Sequence, residues 1–328
     1  EVAKANAEAN VAQEAEQIRI TKEEQEAEAE KQAALKKKNM ELATFVQTIA
    51  NSVVAGSIYA TVAVGLDLAF GVMQMANHAH GEVFMLGAYV VYVFYALGGM
   101  PFPLAVLAAI PTIAALGLLT ERLIFRPTRG NVLAGFMATA GLTWILQVAA
   151  GRIWGLAFMK KIPTPYMGSA TIAGAQIGFQ RVLIIPAACI LLGILWFFLH
   201  RVRWGKALRA CAKDPDAAAV QGISISNMTA LAMGIAGAYA GVAGALMAPI
   251  HAVTPYMGRD LLITAFIVVI VGGMASIEGA VLAAFLLGFI HTFVTTIFDA
   301  TSAVMVGVAF MAFILIVKPT GLMGRVKS

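Results

Sequence analysis

The sequence predicts an all-α polytopic membrane protein with about eight or nine transmembrane helices. Hydrophobic residues make up 60% of the chain and charged residues only 12%, about half the charged share of a soluble domain. Several apolar runs reach the roughly 18 residues that a helix needs to cross a bilayer. The alternating ten-residue pattern of a membrane β-barrel does not occur.

Residues 1–41 form a charged amino-terminal segment that precedes a transmembrane domain, residues 42–325. Ten of the eighteen acidic residues lie in this segment, which has few large apolar side chains to bury. We expect a solvated, helical or partly disordered tail, with a coiled coil or docking arm as the alternative. The segment has no apolar core, so no signal peptide is expected.

Nine apolar segments are predicted to cross the membrane. They lie near residues 42–66, 79–97, 103–121, 132–150, 182–200, 226–248, 259–275, 279–297 and 303–317. Basic residues cluster after the third, the fifth and the last segment, which predicts that these three places are cytoplasmic and indicates no nucleic-acid binding. The last cluster is Lys318, Arg325 and Lys327. Nine spans place the amino terminus outside, whereas Lys36, Lys37 and Lys38 favour the inside, so eight spans remain an alternative.

Two of the hydrophobic segments are interrupted by glycines and polar residues. The first begins at Gly65 and includes Asp67, and the second begins at Gly258 and includes Asp260. Broken helices at matching places in two related halves indicate a transport site, because freed backbone groups and helix ends can face a solute. We therefore predict two related halves and a substrate pathway. The predicted pathway residues are Asn77, His78, His80, Glu82, Gly272, Gly273, Ser276 and Glu278.

The His78, His80 and Glu82 side chains would suit zinc by type, but positions 78 and 80 point apart on a helix. No further ligands cluster nearby, so no metal and no cofactor are expected. Polar side chains inside a span are costly and usually line a pathway or pair internally. A purely structural, hydrogen-bonded kink is the alternative.

The sixth span carries glycines at spacings of three, four and three residues. These are Gly234, Gly237, Gly241 and Gly244. All four lie on one helix face, and small residues let a neighbouring helix approach closely in lipid. We predict a helix-packing face, with a sliding contact that changes between transport states as the more specific alternative.

A short capped helix is predicted between the fifth and sixth spans, on the basic side. Asp214 is a typical N-cap, Pro215 a typical first helical residue and Gly222 a typical left-handed end. A loop that only joined two spans would not need such a helix, so we predict that it transmits force to a cytoplasmic partner. The Gly205-Lys206 pair lacks the other residues of a phosphate-binding loop, so this chain is not expected to bind ATP or to be an enzyme.

The order Asp216-Ala217-Ala218, three residues, then Gly222 resembles the EAA-type coupling loop of ABC importer permeases. Residues 65–89 resemble the signature of the branched-chain amino acid ABC permease family of the LivH type. The Glu121-Arg122 pair, which looks like a boundary pair at the cytoplasmic face, resembles the first cytoplasmic loop of that family. The closing segment 318–325 also resembles that family, and the resemblance covers about residues 42–325.

The resemblance implies one permease subunit of a bacterial ABC importer, a multi-pass protein of the inner membrane. It would move a small amino acid or amide-like solute of the branched-chain amino acid class. The implied partners are two ATP-binding subunits, a second homologous permease and an extracytoplasmic solute-binding protein. The residues expected to couple to the ATPases are Arg209, Asp214, Asp216, Ala217, Ala218 and Gly222.

Two other functions remain open from the residues alone. The first is a secondary transporter driven by an ion gradient, with Asp67, Glu82 and Glu278 as its coupling acids. The second is a membrane scaffold without transport activity, whose basic loop recruits a soluble protein.

Overall fold

A computed structural model describes residues 2–155 and 159–324, with side chains described from Lys31 onward. Arg325 and Lys327 of the last basic cluster, and so the end of the predicted transmembrane domain, lie outside the described residues. The helices are α1 (Val2–Met73), α2 (His80–Val91), α3 (Phe102–Thr120), α4 (Val132–Trp154), α5 (Phe179–Arg201), α6 (Arg203–Lys213), α7 (Pro215–Val220), α8 (Ile225–Met247), α9 (Gly258–Gly272), α10 (Ile277–Ile297) and α11 (Ala300–Val317). The strands are β1 (Ser169–Ile172) and β2 (Ala175–Gly178), and the π-helical segments Tyr92–Leu97 and Glu121–Phe125 extend α2 and α3.

The predicted all-α polytopic fold is confirmed. Eight helices in the described part of the chain are long and apolar enough to cross a membrane. The 15-residue helix α9 is shorter and measures about 22 Å at 1.5 Å per residue, against a hydrocarbon core of roughly 30 Å.

The chain divides into two compact units. The first holds the part of α1 up to Gln47 and residues Ala170–Ile177. In it, Ala173 and Gly174 have φ angles of 50° and 83°, the left-handed conformation that a two-residue hairpin turn between β1 and β2 requires. The second unit, Thr48–Ser169 and Gly178–Ser328, contains the other helices and all the sites described below.

Several helix ends of the second unit meet at one face of the bundle. Met73, Phe125, Pro215 and Ile225 line a single cleft there, so α1 and α3 end where α7 and α8 begin. We call this the basic face, because Arg129 lines the same cleft and the basic helix α6 leads into α7. It is the face that the positive-inside rule predicts to be cytoplasmic.

The carboxyl-terminal loop also returns to the basic face. The Leu322 N–H donates to the Val271 carbonyl at 2.7 Å, and the Met323 N–H donates to the Gly272 carbonyl at 3.0 Å. A Cβ on Gly71, near the end of α1, would lie 3.2 Å from the Ala275 Cβ, so α9 ends at this face as well. Helix α9 therefore reaches the basic face, but it is not one of the eight helices that are long enough to cross the membrane.

The first interrupted segment contains fewer non-helical residues than the sequence predicted. Helix α1 continues through Gly65, Asp67 and Gly71 to Met73, so Asp67 lies within a helix and not at a break. Gly65 serves helix packing and not a helix break, because a Cβ at this position would lie 3.1 Å from the Ala236 carbonyl oxygen of α8. The interruption is confined to the six residues that separate α1 from α2.

The glycine face of α8 lies against α3 and α2. A Cβ on Gly237 would lie 2.9 Å from the Ile113 carbonyl oxygen, and a Cβ on Gly244 would meet the Phe84 carbonyl oxygen. These backbones are closer than any larger residue permits, as expected where packing drives helix association in lipid.

Gly244→Ala is expected to lower the melting temperature of the purified protein in detergent. The added methyl group would meet the Phe84 carbonyl, and overpacking of this kind costs about 1–3 kcal/mol. Gly193→Ala on α5 is the matched control, because an added Cβ there has no atom within 4 Å. Equal melting temperatures for the two variants would contradict this description of the α2–α8 contact.

Candidate functional site

A non-helical segment lies inside the bundle, between α1 and α2. Gln74 has a φ of 53° and ends α1, and the Asn77 carboxamide oxygen accepts the Ala79 N–H at 3.0 Å just before α2 begins. His80 Nε2 lies 3.2 Å from the Val62 carbonyl oxygen. Val62 precedes Met73 by eleven residues, about 16 Å of helix. The start of α2 is therefore well inside the bundle and not at its basic face.

Helix α4 supplies a polar stripe to this segment. Thr139 Oγ1 accepts the His78 N–H at 3.2 Å, and Thr143 Oγ1 lies 3.2 Å from His78 Nδ1 and 3.3 Å from the His78 carbonyl oxygen. One turn further along, Gln147 Nε2 donates to Glu82 Oε1 at 2.8 Å. Residues four apart share a helix face, so one face of α4 pairs with His78 and with one oxygen of Glu82.

Buried polar atoms without a hydrogen-bond partner among the described residues include one in this segment, one at the start of α2 and one on α1. These three are Asn77 Nδ2, Glu82 Oε2 and Asp67 Oδ2, and each of the three residues is at most 1% exposed. An unpaired polar atom in a low-dielectric interior is costly. These atoms are the ones that a polar solute, a water molecule or a second conformation could satisfy.

The second interrupted segment lies at the basic end of α9. Gly272 and Gly273 are buried, Ser276 accepts the Gly279 N–H at 3.3 Å as the N-cap of α10, and Glu278 is exposed. Asp67 Oδ1 accepts the Ala275 N–H at 2.7 Å, which ties α1 to the turn between α9 and α10.

The structure does not join the eight predicted pathway residues into one site. The four from Asn77 to Glu82 lie against α4 and the middle of α1, whereas the four from Gly272 to Glu278 lie at the basic face. The start of α2 instead touches the start of α9, where the backbones of Gly81 and Gly258 meet.

The coupling residues predicted from the sequence surround α7. Asp214 Oδ1 accepts the Ala217 N–H at 3.0 Å, and Gly222 has a φ of 79° just beyond the helix. Asp216 and Ala217 are exposed on this helix and Ala218 is buried, while Arg209 is exposed on α6. Val220, the last residue of α7, is 86% exposed, so the helix presents an apolar side chain to the surroundings.

Helix α6 connects α7 to the end of α1. A Cβ on Gly71 would lie 3.6 Å from the Ala212 Cβ of α6 and 3.2 Å from the Ala275 Cβ. Cys211 and Leu208 form part of the core on the same helix, and burial raises the pKa of the Cys211 thiol, so it packs there as a neutral group. The end of α1, helix α6 and the turn after α9 therefore meet at Gly71.

An ion pair between Glu121 and Arg129 fixes the loop after α3. Arg122 is exposed, and the partner of the buried Glu121 carboxylate is Arg129, whose Nη2 lies 3.3 Å from Oε1. Thr229 Oγ1 of α8 donates to the same oxygen at 2.9 Å, and Arg126 Nε lies 3.8 Å from it. Arg122 and Glu121 are adjacent in a π-helical turn and point in different directions.

The sequence interpretation missed several residues of these sites. Thr139, Thr143 and Gln147 had a usable signal, since they repeat every four residues within an otherwise apolar span. The pairing of Arg129 with Glu121, eight residues apart, had no such signal. Three arginines follow Glu121, and the sequence does not distinguish which of them pairs with it.

The fold defines a multi-pass α-helical membrane protein. A sequence model of the family described as "Branched-chain amino acid transport system / permease component" matches residues 48–317. The chain belongs to this family, and it is a permease component of branched-chain amino acid ABC transport and not an enzyme. Membership in the family implies ATP-binding and solute-binding partners.

Individual relatives agree with the family match. The chain is 33% identical to the high-affinity branched-chain amino acid transport system permease protein BraD of Pseudomonas aeruginosa, over 87% of this chain and 97% of that protein. It is 30% identical to the corresponding LivH protein of Escherichia coli, over 86% and 96% of the two chains. Among solved structures, PsaBC from Streptococcus pneumoniae in complex with Fab is 13% identical over 88% and 96%, with a TM-score of 0.49.

Gln147→Leu is expected to lower the free energy of unfolding by about 1–3 kcal/mol, because the Glu82 carboxyl loses its hydrogen-bond donor inside the bundle. In a Glu82→Leu background the same change should cost much less, since no carboxyl group then needs a partner. Denaturation in mixed micelles measures both, with the neighbouring exposed Val148→Leu as control. Equal costs in the two backgrounds would show that the hydrogen bond contributes nothing.

Proposed function

We propose that this chain is the permease subunit of a bacterial ABC importer of the inner membrane, with import driven by ATP hydrolysis in partner subunits. The solute is a small amino acid or amide-like molecule of the branched-chain amino acid class. The assembly contains two ATP-binding subunits, a second homologous permease and an extracytoplasmic solute-binding protein. The relatives named above are called branched-chain amino acid permeases, which supports the solute class.

The observation that carries this proposal is the capped helix α7 at the basic face. Its N-cap and its left-handed end fix it as a helix of only six residues, and Val220 projects from it with 86% of its surface exposed. A helix held at both ends with an exposed apolar tip is suited to dock into a groove of another protein. In this proposal that groove belongs to an ATP-binding subunit.

Motion of α7 would reach the bundle along two routes. One runs through α6, because Ala212 lies against Gly71 and Gly71 lies against Ala275, whose N–H is held by Asp67. The other runs through the cleft that Pro215 shares with Gln74. Both routes end at a predicted pathway segment, one at residues 272–279 and one at residues 74–82.

In this mechanism, access alternates when the side chains of the pathway segment exchange their hydrogen-bond partners. With the basic face at rest, His78 and Glu82 are held by α4 and His80 is held by α1. When ATP closes the ATPase dimer and α7 moves, the segment shifts against α4 and its unpartnered atoms become available to the solute. A driving ligand must favour one state over the other, and here ATP and the docked binding protein supply that difference.

Val220→Asp is expected to reduce capture of the ATP-binding subunits and to lower ATPase activity stimulated by the loaded binding protein at least ~10-fold. A charge placed at the centre of an apolar contact must be desolvated without a partner, which costs several kcal/mol. The assay is co-purification in mild detergent, followed by ATPase measurement. Wild-type capture by this variant would overturn the docking role of α7.

The control for this experiment is Met167→Asp, which replaces an equally exposed methionine (89%) between α4 and α5, outside α6 and α7. It should capture the ATP-binding subunits as the unaltered chain does. Both variants should keep the melting temperature of the isolated permease, because neither side chain is buried.

A further inference from the structure

A cleft at the basic face combines an apolar wall with a few polar groups. Its volume is about 160 Å³, and Val72, Met73, Met75, Phe125 and Ile225 form its apolar wall. Gln74, Arg129 and Thr229 supply polar groups, and Pro215 of α7 completes it. Gln74 and Arg129 are exposed, so the cleft opens to the aqueous side. Its volume is several times the roughly 30 Å³ share of one water molecule and below the usual range of drug-sized sites.

The charge of the cleft favours an anion. The Glu121 carboxylate is 1% exposed and has two guanidinium groups beside it, those of Arg129 at 3.3 Å and Arg126 at 3.8 Å. These three side chains carry a net charge of +1, and Arg129 is the charged side chain among the residues that line the cleft. The amino-terminal end of α8, where backbone N–H groups lack helical partners, begins at Ile225 in the wall and adds partial positive charge.

Arg129 keeps donors available for a ligand. Its Nη2 donates to Glu121 Oε1 and to Thr229 Oγ1, the latter at 2.8 Å. Its Nε and Nη1 have no partner among the residues that the structure describes, and the side chain is 41% exposed. A guanidinium group has five N–H donors in a planar fork that matches a carboxylate. The Glu121 and Thr229 contacts hold this fork in place.

We infer that the cleft binds a short aliphatic carboxylate from the cytoplasm and that a filled cleft inhibits transport. The carboxylate pairs with Arg129, and the aliphatic part contacts Met75, Phe125 and Ile225. The occupant lies between Pro215, at the start of α7, and Gln74, at the start of the pathway segment, so it fixes the separation of two parts whose relative movement the proposed function requires. The binding of a carboxylate does not depend on the proposed function. Two further statements rest on it: that the ligand is also the imported solute, and that the ligand inhibits transport.

Binding is tested by calorimetric titration of the full chain in lipid nanodiscs, without ATP-binding subunits. Leucine and 4-methylpentanoate should both bind, because both have the carboxylate and the branched aliphatic part. 3-Methylbutylamine, which has the aliphatic part and no carboxylate, should not bind. Equal binding of the amine would overturn the assignment.

Two variants locate the site. Ile225→Trp fills the cleft and should weaken binding at least ~10-fold. Leu123→Trp, its control, alters a residue that is 64% exposed on the same segment as Phe125 and should have no effect. Arg129→Gln should weaken binding ~10-fold or more, the usual worth of a hydrogen bond to a charged group. Unchanged binding in both Ile225→Trp and Arg129→Gln would overturn the site.

A double variant separates ligand binding from the structural role of Arg129. Glu121→Gln combined with Arg129→Gln removes the buried charge and its partner together, which relieves the fold of an unpaired carboxylate. Binding should stay weak in this double variant while the melting temperature recovers relative to Arg129→Gln alone. Recovery of binding would show that the guanidinium acts only as the partner of Glu121.

The inhibitory role has its own readout. In the complete complex, ATPase activity should fall over the same leucine concentrations that fill the cleft, and Ile225→Trp should shift that fall to at least ~10-fold higher concentrations. Binding without any change in the ATPase rate would overturn inhibition and leave the site. Absence of ATPase activity in every variant would instead count against the proposed function.

Discussion

The structure depends on one requirement of the bilayer interior, where every polar group needs a partner from the protein. The chain leaves its helix between Met73 and His80, at a depth where water is scarce, and the exposed backbone and side-chain groups must be satisfied there. Helix α4 meets part of this requirement with Thr139, Thr143 and Gln147, while Asn77 Nδ2 and Glu82 Oε2 keep no partner among the described residues. The hydrogen bonds that hold this break can be made in a second way in another state.

Close backbone contact is the second constraint. Because α8 approaches α2 and α3 at glycine positions, the middle of the bundle is rigid. The elements that can move are therefore those joined to it by few contacts: the segment before α2, the turn after α9, and the α6–α7 pair. These are the elements that converge at Gly71 and at the cleft of the basic face, which places the movable parts next to α7.

Much of this arrangement could be predicted from the sequence, because local signals determine it. The lengths of the apolar runs predict the membrane-spanning helices. Asp214, Pro215 and Gly222 predict the bounds of α7, because they are typical helix-capping residues. Long-range pairing could not be predicted. Asp67 lies in an intact helix because Ala275 satisfies it from another part of the chain, and Glu121 selects Arg129 because the π-helical turn directs Arg122 elsewhere. Neither partner has a signature in the local sequence.

The central claim is that import is powered from the basic face and not by protonation of buried acids such as Asp67 and Glu82. The most direct measurement is uptake of labelled leucine into proteoliposomes that contain the chain with its second permease, ATP-binding subunits and binding protein, in the presence of ionophores that collapse all ion gradients. The account predicts uptake that requires ATP and survives the ionophores. Uptake that needs no ATP and disappears with the gradients would contradict it and would favour an ion-coupled carrier.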